Sequence, residues 1–360
     1  MLRRFYVDNF RCLVNFEFKP ESVNLILGRN GSGKSTLLDA LQAVAGLATG
    51  SSPQSLLPAQ TLPWWQTHKL QTFELDFDDG DGTDVFSYRI VVGHSERAAP
   101  AIIEETLRFG GKPLLSFKEG QLVLPFLKQP IPFEGKQSAL GLGLGSDAGV
   151  SRFQEHIASV LTFKLNPWAM ELSARDEDRM LWVTGGNLVA YLRSWLQSDP
   201  EGFVGWKSRV LETMPHLEDI QLRELSPGSR ILAGMRHVDG KEILLGLGSF
   251  SEGERALLAL HAIVGLAHGD RLIGLDEPDN FLAPSEVQPV LRLFTVSPPK
   301  RSPAQLIVVT HHPRSIDYLA PYATWMFERQ EAGFSRVRRL KFDRESGESA
   351  SESVLAELAT

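Results

Sequence analysis

The chain has 360 residues, 42% hydrophobic and 22% charged, which is room for one large or two modest domains of an ordinary globular protein with a substantial core. Its 37 basic and 44 acidic side chains leave a net charge of −7, which argues against a protein that coats nucleic acid by bulk electrostatics but leaves room for a local basic groove. The single cysteine, Cys12, excludes an internal disulfide framework and a multi-cysteine zinc site and fits a reducing cytosol.

The start, Met1-Leu2-Arg3-Arg4 followed closely by Asp8 and Asn9, has neither the apolar centre nor the cleavage site of a secretory signal. The longest apolar stretch, 256–267, is interrupted by His261 and is too short to cross a bilayer, so a buried helix and a cytoplasmic protein are expected. Residues 2–8 and 22–27 read as strands, the second ending on Gly28 at a glycine-rich loop that leads into a helix from Lys34 to about Leu47. Residues 49–66, rich in Ser, Pro, Gln and Trp, read as an irregular loop. In it, Trp64 and Trp65 serve either to contact a partner or to plug the core. Segments 70–78, 84–92, 101–109, 113–117 and 121–125 alternate apolar and polar residues (Phe73, Leu75, Phe77; Phe86, Tyr88, Ile90), the pattern of an antiparallel meander covered on one face.

Residues 128–150 are rich in Pro and Gly and read as loop. Within them Gly141-Leu-Gly143-Leu-Gly145 lacks a preceding strand and reads as a flexible loop rather than a dinucleotide cradle. Periodicity predicts helices at 151–162, 186–197 and 203–214, then strands at 218–225 and around 229–246. A helix at 252–268, a buried strand at 271–275, a helix at 284–295, a strand at 305–310 and a strand pair near 322–341 follow. Residues 345–353 read as a flexible tail, with a short helix at 354–358. There are no repeats, and no heptad pattern runs long enough for a coiled-coil arm.

Three segments carry chemistry. Gly28-Arg29-Asn30-Gly31-Ser32-Gly33-Lys34-Ser35-Thr36 fits G-x-x-x-x-G-K-[ST] between a strand and a helix, the context that supports a phosphate-binding loop. Glycines let the amides from Asn30 to Thr36 curl around phosphate oxygens, and the helix start adds partial positive charge. Lys34 supplies a full charge for the terminal phosphates, and Ser35 offers a hydroxyl to Mg2+. The second segment, 271–277, is an apolar strand that ends in Asp276 and Glu277. A strand tip delivers its last side chains to the crevice at the carboxyl edge of the sheet, where Asp276 would hold Mg2+ and Glu277 would act as general base on water. The third, 306–313, is an apolar strand ending in His311, His312 and Pro313.

Taken with Ser249-Phe250-Ser251-Glu252-Gly253-Glu254-Arg255 at a helix start, these motifs resemble those of the ABC-type P-loop ATPases. The resemblance implies that Ser251 and the amides around Gly253 bind the γ-phosphate of ATP held by the opposite subunit, in a head-to-tail homodimer with ATP at the seam. Ser251 also reads as a plain helix N-cap, and the two roles are compatible. By the same resemblance His311 would be the switch histidine, and Lys34, Glu277 and His311 together would form the catalytic set. Val7-Asp8-Asn9-Phe10-Arg11 looks like the opening of RecF, SMC and OLD-type ATPases, which would bring Arg11 to the nucleotide phosphates. Asp276-Glu277-Pro278-Asp279 followed by Leu282-Ala283-Pro284 resembles the AAA_21-like branch, as do Gly186-Asn187-Leu188 and the meander. Ala283, however, stands where relatives often carry His or Asp. Gln137 either supplies the sensor glutamine near the metal or is an exposed loop residue.

The implied fold is an α/β ABC-type P-loop NTPase with a mixed central sheet, an antiparallel β-meander and an inserted helical subdomain. Residues 1–47 and 246–344 would form the two halves of the ATPase core, with 48–127 as meander, 128–245 as helical lid and 345–360 as flexible tail. The expected cofactors are ATP and Mg2+, and the expected activity is ATP hydrolysis in a DNA-repair or phage-defence system. The 48 residues left after His312 (360 − 312) are too few for a Toprim nuclease domain, so an effector is expected in a separate protein. An ATP-dependent DNA clamp is the alternative. The basic segment Arg336-Val-Arg338-Arg339-Leu-Lys341 is equally a solvated face, so nucleic acid binding is weakly supported. A transporter subunit fits poorly, because Ser251 lies 215 residues after Thr36 (251 − 36). A chromosome-organising SMC protein would need the long heptads that are missing.

Overall fold

The computed structural model describes the whole chain except residues 80, 81, 83, 143–146, 297–303, 332, 343–347 and 360. Its centre is a six-stranded sheet in the order Val160–Phe163, Leu272–Asp276, Gln305–Val309, Val23–Gly28, Ala323–Arg329, Ser335–Leu340. The first five strands run parallel and the last returns antiparallel. Val23–Gly28, Leu272–Asp276 and Gln305–Val309 are buried at every residue, as parallel strands covered on both faces must be.

Alternate side chains of these strands feed two cores. Ile26, Ile307 and Val309 face the helix Lys34–Ala48 and the meander. Leu25, Leu27, Ile273, Leu275, Leu306 and Val308 face the helices Leu188–Ser198, Pro200–Thr213, Glu252–Leu266 and Pro284–Thr295. The parallel arrangement brings the ends of four strands, Gly28, Phe163, Asp276 and Val309, to one edge.

The meander is larger than its five expected segments. Leu2–Asp8 and Phe16–Phe18 join it at one end and Ile131–Pro132 at the other, giving eight antiparallel strands. Its inward residues Phe73, Leu75, Phe77, Phe86, Tyr88 and Ile90 are buried. Phe153, from the helix Ala148–Ala158, packs among them with its ring centre 5.0 Å from that of Tyr88 and 5.9 Å from that of Phe86. Glu105 is buried in the same layer, where its carboxylate accepts from the Tyr88 hydroxyl (2.8 Å), the Ser138 hydroxyl and the Ala139 amide (2.8 Å). Burial pushes its carboxyl above the usual range. A third, antiparallel sheet joins Ser173–Ala174, Asp219–Ser226, Ser229–Val238 and Lys241–Gly246.

Several expectations need correction. The helix predicted over 151–162 ends at Ala158, and Val160–Phe163 is the edge strand of the central sheet. Apolar residues continue across the junction, so periodicity alone runs the two elements together. The span 128–245 is therefore not one helical lid: it contributes a strand to the meander, one to the central sheet and most of the third sheet. The tail helix covers Ala350–Ala359 rather than 354–358, buries Val354 and is tied to Asp317 through the Ser351 amide at 2.8 Å. A further helix, Pro313–Leu319, was not expected. Within the glycine run at 141–145, Gly141 and Leu142 belong to a 3-10 turn and the rest lies outside the described residues. No helix among the described residues is long and apolar enough to cross a membrane.

Replacing Phe153 by Ala empties the contact between the helix Ala148–Ala158 and the meander. A loss of about 3–5 kcal/mol in unfolding free energy is expected, measurable by denaturant titration followed by circular dichroism.

Candidate functional site

At the carboxyl edge of the central sheet the strand Val23–Gly28 turns into the glycine-rich loop. Gly28 (φ +146°) and Gly33 (φ +103°) hold backbone conformations that side chains rarely adopt. A Cβ at Gly28 would lie 2.3 Å from the Phe327 carbonyl oxygen, and one at Gly33 would lie 2.8 Å from Cys12 Sγ. The loop is braced by Ser335, whose hydroxyl donates to the Ser32 carbonyl at 2.6 Å. Cys12 is buried beside it as a small apolar filler. Lys34, 5% exposed, donates from Nζ to the carbonyls of Gly28 (2.8 Å) and Arg29 (3.0 Å) across the loop it closes. Burial lowers its pKa, against the opposing pull of Glu277 and Asp276.

The Ser35 hydroxyl donates to Asp276 Oδ1 at 3.1 Å, so the loop and the acidic strand end are in direct contact. Glu277 follows in the left-handed region (φ +49°), its amide bonded to the Val309 carbonyl at 2.8 Å. That conformation turns its side chain toward the loop. Asn280 Nδ2 donates to Glu277 Oε2 at 2.7 Å, and His311 Nε2 lies 4.0 Å from Oε1. Burial, reinforced by Lys34, lowers the pKa of His311 and favours the neutral ring at pH 7. Asp279 is buried and accepts from the hydroxyls of Thr310 (2.6 Å) and Ser315, locking the turn after the acidic strand to the turn that carries His311. His312 caps the helix Pro313–Leu319 by accepting from the Arg314 amide, which accounts for it without a role in the site.

A cavity of about 530 Å³ opens over this edge, lined by Arg11, Asn30, Gly31, Gly33, Lys34, Ser35, Thr36, Trp64, Trp65, Glu277 and Arg329, with Cys12 and residues 60, 62 and 63. The Arg11 guanidinium reaches the cavity but is paired with Asp39. Ser32 lies beneath the loop, buried, rather than in the cavity wall. Trp64 is 90% exposed at the cavity mouth, which excludes a core-plugging role for it. Trp65 meets it edge to face at 5.6 Å.

Three predicted site residues, Ser251, Gly253 and Gln137, lie elsewhere. Ser251 caps the helix Glu252–Leu266, outside the cavity and exposed, with its hydroxyl and amide both donating to Glu254 Oε2 (2.9 and 2.8 Å). Gly253 lies against the Phe281 carbonyl oxygen, 2.8 Å from where a Cβ would sit. Gln137 is a correction. It is exposed beside Ser138, which is fixed on Glu105 of the meander, and Gly141 beyond it packs on Gly50, past the end of the helix Lys34–Ala48 opposite the phosphate loop. That helix is roughly 22 Å long at 1.5 Å per residue. The strand alongside Leu272–Asp276 delivers Lys164 instead, whose Nζ donates to Asp276 Oδ2 at 2.8 Å. The signal was present: the mostly apolar segment 160–163 is followed by a charged residue, Lys164, as 272–275 is by Asp276.

The basic strand Ser335–Leu340 is occupied internally. Arg338 pairs with Glu328 (2.7 Å) and Glu357, Arg339 pairs with Glu21 (2.8 Å), and Arg336 lies over the Phe334 ring and donates to the Val14 carbonyl at 2.9 Å. Those contacts favour a structural face over a nucleic-acid groove.

Residues 4–120 match a family model described as an AAA domain, and residues 195–317 match one described as an AAA domain, putative AbiEii toxin, Type IV TA system. No curated protein matches the sequence. Among solved structures, the chain is similar to an Smc head bound to the C-winged helix domain of ScpA, with TM-score 0.58 and 14% identity over 95% of this chain and 98% of that one. It is also similar to an Smc head domain with a coiled coil and joint derived from Pyrococcus yayanosii, with TM-score 0.53 and 12% identity over 100% of this chain and 99% of that one. With two AAA-type domain matches in succession and an Smc-head architecture over nearly its whole length, the chain has the fold of an ABC-type P-loop ATPase, that of an Smc head.

Proposed function

We propose that this chain binds and hydrolyses ATP with Mg2+ at the cavity over the central sheet, and that two copies close head to tail on the nucleotide. The reading is carried by the meeting of Lys34, Ser35, Asp276, Glu277 and His311 at one sheet edge, although they come from three separate strand ends. Ser35 Oγ and Asp276 are a hard-oxygen donor pair that fits Mg2+, an ion usually bound by one or two protein oxygens together with substrate phosphates and water. Bound there, the ion would neutralise phosphate charge. Lys34 exchanges its two carbonyl partners for phosphate oxygens, and the amides from Asn30 to Thr36 surround them. Arg11 adds a further cation if it leaves Asp39. Glu277, held by Asn280, takes the proton of the attacking water, and the neutral His311 ring beside it orients that water or the phosphate.

Dimerisation accounts for Ser251 and Gly253. They lie at the start of a 15-residue helix, Ser251 exposed and Gly253 half-buried, both outside their own cavity, where the helix N-terminus favours an anion. The Glu254 carboxylate now takes the place that a phosphate would occupy at Ser251. Its other oxygen is already 2.9 Å from His216 Nε2, so it has a partner to turn to. A C2 pair would put each Ser251 on the nucleotide of the other subunit. A cytoplasmic ATPase component working with a separate effector in a defence or repair system fits the toxin–antitoxin description attached to the match at 195–317. It also fits an Smc head solved with a winged-helix domain bound.

Three substitutions test the reading. Lys34→Ala should abolish ATP binding by calorimetry, whereas Glu277→Gln should bind ATP normally and lose on the order of 10²–10⁴-fold in turnover; full turnover in Glu277→Gln would remove it as the base. The exposed Trp64 offers a ring face for the base, and stacking of this kind is worth about 1–3 kcal/mol. Trp64→Ala should therefore weaken ATP by about tenfold and leave inorganic tripolyphosphate binding unchanged, both measurable by competition.

A further inference from the structure

We propose that Lys164 is a tethered counter-ion that competes with the divalent cation for Asp276, so that metal enters the site with the nucleotide and not before it. The inference rests on the ATP-site reading above. The side chain of Asp276 is 4% exposed, and a carboxylate so buried is costly without a cation. Lys34 does not supply that cation, because its ammonium is turned onto the Gly28 and Arg29 carbonyls. Among the described residues the ion pair to Asp276 is made by Lys164, at 2.8 Å on Oδ2, while Ser35 holds Oδ1.

Ser35 and Asp276 are the oxygens that would take the metal, so lysine and metal use the same carboxylate. An ammonium and a divalent ion held a few ångströms apart on one carboxylate repel each other strongly. Lys164 is built to come and go. Its amide donates to the Val183 carbonyl at 2.8 Å and the Asn166 amide to Thr184 at 2.9 Å, which fix the backbone beside the strand Val160–Phe163. Its side chain is nevertheless 62% exposed, so the four-carbon stem can swing into water without uncovering core. Metal arriving alone must displace a cation with no new anion to compensate. Metal arriving with a triphosphate brings the anion with it, and the released ammonium stays beside negative charge.

The test is Mn2+ binding to the nucleotide-free full chain, with free ion read by electron paramagnetic resonance. Lys164→Met should bind Mn2+ tighter than wild type by a factor on the order of ten, the ordinary size of a coupling between two bound groups. Lys164→Arg should keep the weak wild-type binding, and Lys164→Met combined with Asp276→Asn should lose the gain. Equal affinity in Lys164→Met and wild type would overturn the proposal, as would a gain that survives Asp276→Asn. Circular dichroism melting without metal checks that each variant is folded. ATP binding by the wild type is measured separately by calorimetry: its absence would sink the ATP reading, whereas the Mn2+ comparison decides Lys164.

Discussion

Asp276 is a carboxylate buried at the end of an apolar strand, and such a group must be satisfied by hydrogen bonds and a cation or give up its charge. Here the solution organises the site. Ser35 comes from the start of the helix after the glycine-rich loop and Lys164 from the edge strand, so two otherwise separate segments are tied to one side chain. The next residue, Glu277, turns through a left-handed backbone toward the same loop, and His311 approaches it from the neighbouring strand end. A metal or a phosphate placed here would not need to build a site. It would exchange partners that are already polar and already in position.

The sheet makes this convergence necessary. Five parallel strands point their carboxyl ends in one direction, and a crevice forms where loops leave on opposite faces. Two apolar cores, one against the meander and one against the helices, clamp the sheet from both sides and fix the strand ends. Close approach then dictates glycine at Gly28 and Gly33, where backbone and side chains of the strands Ala323–Arg329 and Ser335–Leu340 leave no room for a Cβ. The Asp279 clamp on Thr310 and Ser315 makes the acidic and histidine turns a single unit, so Glu277 and His311 are positioned together.

Much of this was legible in the residues, and what was not has physical causes. The glycine-rich loop, the strand ending in Asp276 and Glu277 and the strand before His311 announce themselves because chemistry and periodicity agree there. The meander was readable from alternation at Phe73, Leu75 and Phe77, although its outer strands at 16–18 and 131–132 are too short to show a period. Val160–Phe163 was hidden because its apolar run continues that of the preceding helix, and with it went Lys164. Gln137 looked suitable by residue type alone. The buried Glu105, which fixes that loop on the meander, is a partner visible only in three dimensions. Ser251 and Gly253 show a limit of another kind: within one chain they are only a helix cap and a close packing contact, and their proposed role needs a second copy.

The central claim is that nucleotide joins two copies of this chain, and the most direct measurement is solution mass by light scattering with and without ATP–Mg2+, on wild type and Glu277→Gln. The expected result is a dimer that appears or tightens only with ATP and is most persistent in Glu277→Gln. An oligomeric state indifferent to ATP in both proteins would contradict the claim and leave the nucleotide acting inside each subunit or within a constitutive assembly.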